Sequence, residues 1–216
     1  MPMAASGNPG RHASAASRVL FFCVLMACGY LLLYIALPPR RSEGVPPDAD
    51  LARTIRQRVC SGVDIQPGRW RSVVIHHSAT LGGNAARFDD YHRFERHWEG
   101  GLGYHFVIGN GNGSDDGEVE VGHRWLRQET GAHVRDHNVG AVGICLVGDF
   151  ETHLPTDRQM QALTCLVRCL MDVCGLTPDD VTLHRELGNT KCPGALFPAE
   201  AFRVRLADRG DTCEGD

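Results

Sequence analysis

The chain has 216 residues, of which 43% are apolar and 22% charged, with a formal net charge of -4. That length accommodates one ordinary domain with appendages, and the apolar share suffices for a globular core. A slightly acidic balance with interspersed charges gives no electrostatic footprint for nucleic acid.

Residues 1–18 are small and polar and read as a disordered tail. Residues 19–38 (VLFFCVLMACGYLLLYIALP) carry no charge. At about 1.5 Å per residue their length nearly matches the hydrocarbon core of a bilayer, so they read as a single transmembrane signal anchor. Without a clean small-x-small cleavage site, a retained anchor is favoured over a cleaved signal. Arg11 and Arg18 precede the span and Arg40 and Arg41 follow it, so positive charge does not set its orientation. Residues 39–65 form a Pro-rich linker with a short helix over 51–59. The main domain is placed at 66–205, and 206–216 form a C-terminal tail.

Inside that domain the pattern alternates between strands and helices. The β-branched run Val73-Val74-Ile75 leads into His76 and His77 and reads as a buried strand. Residues 84–98 place Phe88, Tyr91, Glu95 and Trp98 on one face of a helix. Residues 103–108 form a strand whose hairpin partner is 118–121, joined by a Gly/Asn/Asp-rich loop that reads as a solvated turn. Residues 141–147 form another buried strand. Thr156-Asp157 caps a helix running to about Val173, with Leu163, Leu166, Val167 and Leu170 inward and Gly175 as the stop. The nine cysteines do not have the spacing of a disulfide framework. Most read as small buried apolar residues, with any pairing unassigned. The resulting fold class is α/β, a central mixed sheet flanked by helices.

A histidine pair at the end of a buried strand needs partners for its ring nitrogens, and a metal ion is one adequate partner. Far downstream, His184 ends another short apolar run and Cys192 follows at the His-x7-Cys spacing. One histidine of the pair with His184 and Cys192 gives three nitrogen or sulfur donors. Such a set favours Zn2+ over hard cations and leaves a fourth position open, as catalytic zinc sites do.

Four ordered blocks carry a resemblance: IHHSAT, GLGYHFVIGNG, GAHVRDHNVGAVGICLVGDF and LHRELGNTKCPG. Together, across residues 71 to about 198, they resemble the zinc amidases that cut N-acetylmuramoyl-L-alanine bonds, in particular amidase-type phage lysozymes and peptidoglycan recognition proteins. The resemblance implies His76, His184 and Cys192 as zinc ligands and leaves His77, on the opposite strand face, as structural. It implies Tyr104 as the catalytic tyrosine beside the metal, and His133 and Asn138 as groove residues contacting muramyl-peptide. Phage members carry a catalytic lysine two places before the cysteine, where Thr190 stands here. Threonine is the residue of many recognition proteins with amidase activity, so Thr190 is carried as a catalytic-site position. A more distant bacterial branch has a glutamate where Cys145 stands, so no general-base carboxylate is named. His92, His97, His105, His123, His137 and His153 have no counterpart of this kind and read as helix-face or loop residues.

The implied function is zinc-dependent hydrolysis of the amide between N-acetylmuramic acid and L-alanine in peptidoglycan. A membrane tether at residues 19–38 would place the catalytic domain outside the cytoplasm, where polymeric peptidoglycan lies. The alternative is a module that recognises muramyl-peptides without cutting them. Members that only bind typically lack the third ligand, whereas Cys192 is present.

Overall fold

β1 (Ser72–His77) is the strand around which the sheet is ordered, and every residue after Ser72 in it is buried. A computed structural model describes residues 49–208, all within one unit, Pro46–Asp216. The expected tail at 1–18, the expected span at 19–38 and most of the C-terminal tail lie outside the described residues. Among the described residues, no helix is long and apolar enough to cross a membrane.

The other strands are β2 (Phe106–Ile108), β3 (Val119–Val121), β4 (Ala141–Leu146) and β5 (Val181–Leu183), and the sheet order is β3-β2-β4-β1-β5. β2 and β3 are antiparallel, whereas the β2–β4, β4–β1 and β1–β5 pairs are parallel. The result is the expected mixed sheet with helices around it.

Strand alternation separates two faces. Val73 and Ile75 of β1, Phe106 and Ile108 of β2, and Val142, Ile144 and Leu146 of β4 all join one large apolar cluster. Helices α1 (Ala49–Cys60), α4 (Asp157–Cys174) and α6 (Ala199–Ala207) also contribute to it. α1 is the helix expected within the linker. Its Ala52, Ile55 and Val59 are buried in this cluster, so it packs as an element of the core rather than as a spacer. The intervening strand residues Val74, Val107 and Cys145 belong to smaller clusters on the other face.

α4 forms as its sequence dictates. Thr156 Oγ1 accepts from Gln159 N at 2.9 Å while Gln159 Oε1 accepts from Thr156 N at 3.2 Å, a reciprocal capping box. Gly175 closes the helix in the left-handed conformation at φ 70°. The buried Gln159 amide also donates to the carbonyls of Ile108 and Val147, binding the helix start to the ends of β2 and β4. Cys145, Cys165 and Cys169 are buried thiols, as their apolar neighbours imply.

The helix expected over 84–98 is found in a different form. α2 (Ala85–Asp90) is capped by Asn84 and passes into a π-helical turn, Tyr91–Glu95. The extra residue per turn rotates the face. Phe88 remains buried, but His92 turns inward while Tyr91 and Phe94 are exposed at 50% and 67%. Two short helices, α3 (His123–Leu126) and α5 (His184–Leu187), and a 3-10 turn, Pro178–Asp180, complete the described elements.

Candidate metal centre

His76 and His184 sit at the carboxyl ends of two adjacent parallel strands. β1 pairs with β5 in register from Val73↔Val181 to Ile75↔Leu183, so the residue following each chain's last paired position reaches the same edge. His76 lies in the last stretch of β1, and His184 opens α5 immediately after β5. Cys192 comes from the return loop after α5. That loop is tied back by Arg185 N donating to Cys192 C=O at 2.7 Å and by Arg185 Nη1 donating to Gly194 C=O at 2.7 Å.

The donor atoms converge. His76 Nδ1 lies 3.1 Å from His184 Nδ1 and 3.7 Å from Cys192 Sγ, and one ligand atom from each of the three residues falls within 4.8 Å of the others. Tetrahedral zinc with Zn–N near 2.05 Å and Zn–S near 2.3 Å sets its donors apart by about 3.3 Å for nitrogen pairs and about 3.6 Å for nitrogen and sulfur. The observed spacings fit such an ion, and two imidazoles with one thiol are the donor chemistry zinc takes.

Burial holds these groups in their uncharged forms. The His76 imidazole is pushed well below its usual range by burial first, then by His133, His184 and His77. His184 is lowered by burial and by His77. The Cys192 thiol is pushed up to about 12 by burial, against the opposing pull of the His77 backbone N–H and Arg185. That N–H donates to Cys192 Sγ at 3.3 Å, and a cation bound beside the sulfur would favour the thiolate further. His77 itself faces away from the donors, as alternation requires. Its Nδ1 accepts from Phe150 N at 3.1 Å, and Phe150 belongs to the large apolar cluster.

The remaining expected residues surround the donors. Tyr104 is half-buried, its ring centroid 5.3 Å from that of His76. Burial raises its phenol well above the ordinary value, with Cys145 and Cys192 adding to the effect. The Thr190 hydroxyl accepts from Cys192 N at 3.2 Å and stands at the mouth of the site. His133 is 8% exposed, with one ring nitrogen toward His76 and the other toward the Ala141 carbonyl. Asn138 is half-buried and its Oδ1 accepts from His133 N and Val134 N, so it shapes the loop.

Beside the donors opens a groove of about 760 Å³, lined in part by Arg96, Arg135, His137, His184 and Thr190. Asp136 is the sole carboxylate residue in that lining, so the walls carry excess positive charge.

Two histidines read as ordinary helix-face or loop residues have definite structural tasks. His105 is fully buried; its Nδ1 accepts from Gly143 N at 2.9 Å and its Nε2 lies 3.0 Å from Glu129 C=O. Burial lowers its pKa to about 3. His92 Nδ1 accepts from Gly103 N at 3.2 Å, and its ring stacks on Trp98 at 4.7 Å. The adjacency of His105 to the apolar strand 106–108 was the available signal for its burial. Nothing in the spacing around His92 marks the π-helical turn that rotates it inward.

Comparison with known proteins places this geometry. N-acetylmuramoyl-L-alanine amidase of Sus scrofa is 35% identical over 122 residues, which is 55% of this chain and 19% of that protein. Peptidoglycan-recognition protein 2 of Holotrichia diomphalia is 31% identical over 150 residues, covering 65% of this chain and 73% of its own. The chain thus spans about a fifth of the mammalian amidase and nearly three quarters of the beetle protein. Among solved structures, the endolysin amidase LysCS of Clostridium intestinale aligns with a TM-score of 0.57 at 29% identity, over 68% of this chain and 91% of that one. A variant of Drosophila PGRP-LB in complex with tracheal cytotoxin aligns at 0.51 and 28% identity, over 64% and 83%. The N-acetylmuramoyl-L-alanine amidase family profile matches residues 66–195. That span takes in all five strands and all three converging donors, and the chain therefore belongs to the N-acetylmuramoyl-L-alanine amidase family.

Proposed function

We propose that the protein is a zinc-dependent amidase that hydrolyses the amide between N-acetylmuramic acid and L-alanine in peptidoglycan. The observation that carries this reading is the donor triad of His76, His184 and Cys192, whose spacing and chemistry fit zinc with one position left open. Zinc bound there supplies a Lewis acid and lowers the pKa of water toward neutrality. The chain's own groups do the rest. Tyr104 is kept as a neutral phenol by burial, so its hydroxyl holds a proton at pH 7 and donates toward the oxygen that gains charge as the amide is attacked. Thr190 accepts from Cys192 N through its oxygen, which leaves its O–H to donate into the groove. Arg96 and Arg135 on the groove walls favour an acidic stem peptide.

A second reading is favoured by relatives named as recognition proteins, one of them solved with tracheal cytotoxin. On that reading the groove binds muramyl-peptides and the amide survives. Mass analysis of purified peptidoglycan after incubation with the protein, with and without a zinc chelator, separates the two. Released stem peptides with a free L-alanine amine, abolished by chelator, support the amidase. Tight binding with no released peptide would leave only recognition.

The apolar run at 19–38 supports a single-pass membrane tether, with the catalytic domain on the side where polymeric peptidoglycan lies. Protease added to intact spheroplasts should remove the domain, and protection would place it in the cytoplasm.

A further inference from the structure

Both ring nitrogens of His76 are engaged, and they are engaged differently. Nδ1 faces His184 and Cys192. Nε2 lies 3.1 Å from His133 Nδ1, and His133 Nε2 lies 3.3 Å from the Ala141 carbonyl oxygen. A carbonyl only accepts, so His133 carries its proton on Nε2. A neutral imidazole has a single N–H, which leaves His133 Nδ1 bare as an acceptor. His76 must then donate from Nε2, and its Nδ1 lone pair is free to face the other donors. His76 and His133 are 1% and 8% exposed, and two ring nitrogens 3.1 Å apart share one hydrogen, so the bare His133 Nδ1 faces the His76 Nε2 proton.

We infer that His133 is a positioning residue for the ligand His76: it accepts the Nε2 proton, fixes the tautomer in which Nδ1 binds metal, and anchors the ring pair on the Ala141 carbonyl. This rests on the metal-centre reading above. It gives His133 a task different from the substrate contact that the resemblance implied, and its 8% exposure leaves little surface for a ligand. Partners of this kind, one shell behind a ligand, set both its orientation and its basicity.

The surroundings are shaped to hold the His133 ring. A Cβ on Gly131 would come within 2.4 Å of His133 Cδ2, and one on Gly143 within 2.5 Å. Either side chain would displace the ring. Asn138 Oδ1 accepts from the backbone N–H groups of His133 and Val134 at 2.8 and 2.9 Å, which sets the loop that delivers it. His105 packs edge-on against the ring at 5.7 Å while its own Nδ1 accepts from Gly143 N. Two glycines, an asparagine and a histidine thus serve one imidazole that touches the ligand from behind.

The tautomer is read directly by NMR of 15N-imidazole-labelled protein, freed of metal, in which His76 should be protonated at Nε2 and bare at Nδ1. Zn2+ affinity of the same protein is then measured by competition with a chromophoric chelator. His133→Ala should weaken it by about 10- to 100-fold. His133→Asn places an amide oxygen near the former Nδ1 position and should recover most of the loss. Should the alanine variant fail to fold, the wild-type tautomer and the asparagine variant still decide. Protonation of His76 at Nδ1 in the metal-free protein would overturn the inference. So would unchanged Zn2+ affinity in His133→Ala combined with weaker binding of a muramyl-tripeptide, the result a groove contact predicts. If these metal measurements come out as expected while peptidoglycan is not cleaved, His133 keeps its role and the amidase reading is the one that fails.

Discussion

The two faces of the sheet are made by the same strands and have opposite chemistry. On one face Val73, Ile75, Val142, Ile144 and Leu146 join side chains from α1, α4 and α6 in a continuous apolar cluster. On the other, His76, Cys145 and Tyr104 stand among His133, His92 and His105, each histidine held by named hydrogen bonds. The apolar face gains stability from area alone and is indifferent to proton positions. The histidine face is stable only while its rings stay neutral and paired, because an unpaired buried ring or a buried charge costs several kcal/mol. One residue of register separates a face that stabilises from a face that carries the donor residues.

The largest predicted effect breaks the histidine face alone. Cys192→Ser replaces the sulfur donor by a hydroxyl that stays protonated, and should lose most Zn2+ affinity and at least about 10³-fold in amide hydrolysis. Its urea-unfolding midpoint without metal should stay near wild type, since the apolar face is untouched. Near wild-type cleavage by this variant would reject zinc-dependent chemistry. The converse change is Leu163→Ala, which removes a fully buried side chain of α4 and should cost about 2–5 kcal/mol of stability. Zinc stoichiometry in the fraction that remains folded should be unchanged. A loss of zinc at full folding would show that the two faces are coupled more tightly than their clusters imply.

Tyr104→Phe tests the histidine face without touching its donors. It should retain zinc and lower kcat by about 10²–10³ if the hydroxyl stabilises developing charge. Equal loss of zinc would make Tyr104 a structural member of the site instead.

A further effect is one of pH on the metal-free protein. His105 and His133 have folded-state pKa values lowered to about 3 and about 4, below the ordinary 6.5. Between those limits the unfolded chain binds more protons than the native one, so stability rises with pH there. It should be flat above about pH 7 and fall below 6.5, by at most about 1.4 kcal/mol per pH unit for each histidine. Urea midpoints at pH 7, 6 and 5 check this. A midpoint that does not fall would mean that these histidines are not buried as neutral rings in solution.

Much of the fold was legible in residues 72–183 because local signals agree there. The β-branched runs become β1, β4 and β5, and Thr156, Gln159 and Gly175 bound α4 through backbone chemistry that depends on near neighbours. A donor set of one histidine of the 76/77 pair with His184 and Cys192 was legible from residue types and spacing, and the family resemblance selected His76, while His77 at the same strand end accepts from Phe150 N. Less was legible around 84–98. Phe88, Tyr91, Glu95 and Trp98 fit a 3.6-residue period, but the π-helical turn that presents Tyr91 and Phe94 to solvent is set by what packs beneath His92. In the helix at 49–60, Ala52, Ile55 and Val59 recur at i, i+3 and i+7, an apolar stripe legible in the sequence, whereas the cluster it packs into is set by the tertiary structure.

By itself the sequence determined the alternating pattern of strands and helices, the two strand ends that carry histidine, and the sulfur that joins them. Strand periodicity and capping act over a few residues, so they can be read without the fold. Tertiary structure alone decided which nitrogen of His76 is free. That depends on His133, 57 residues away in sequence, and on Ala141, brought beside it by the loop that Asn138 holds. A tautomer is a property of hydrogen-bond partners, and no local pattern specifies partners that only folding brings together.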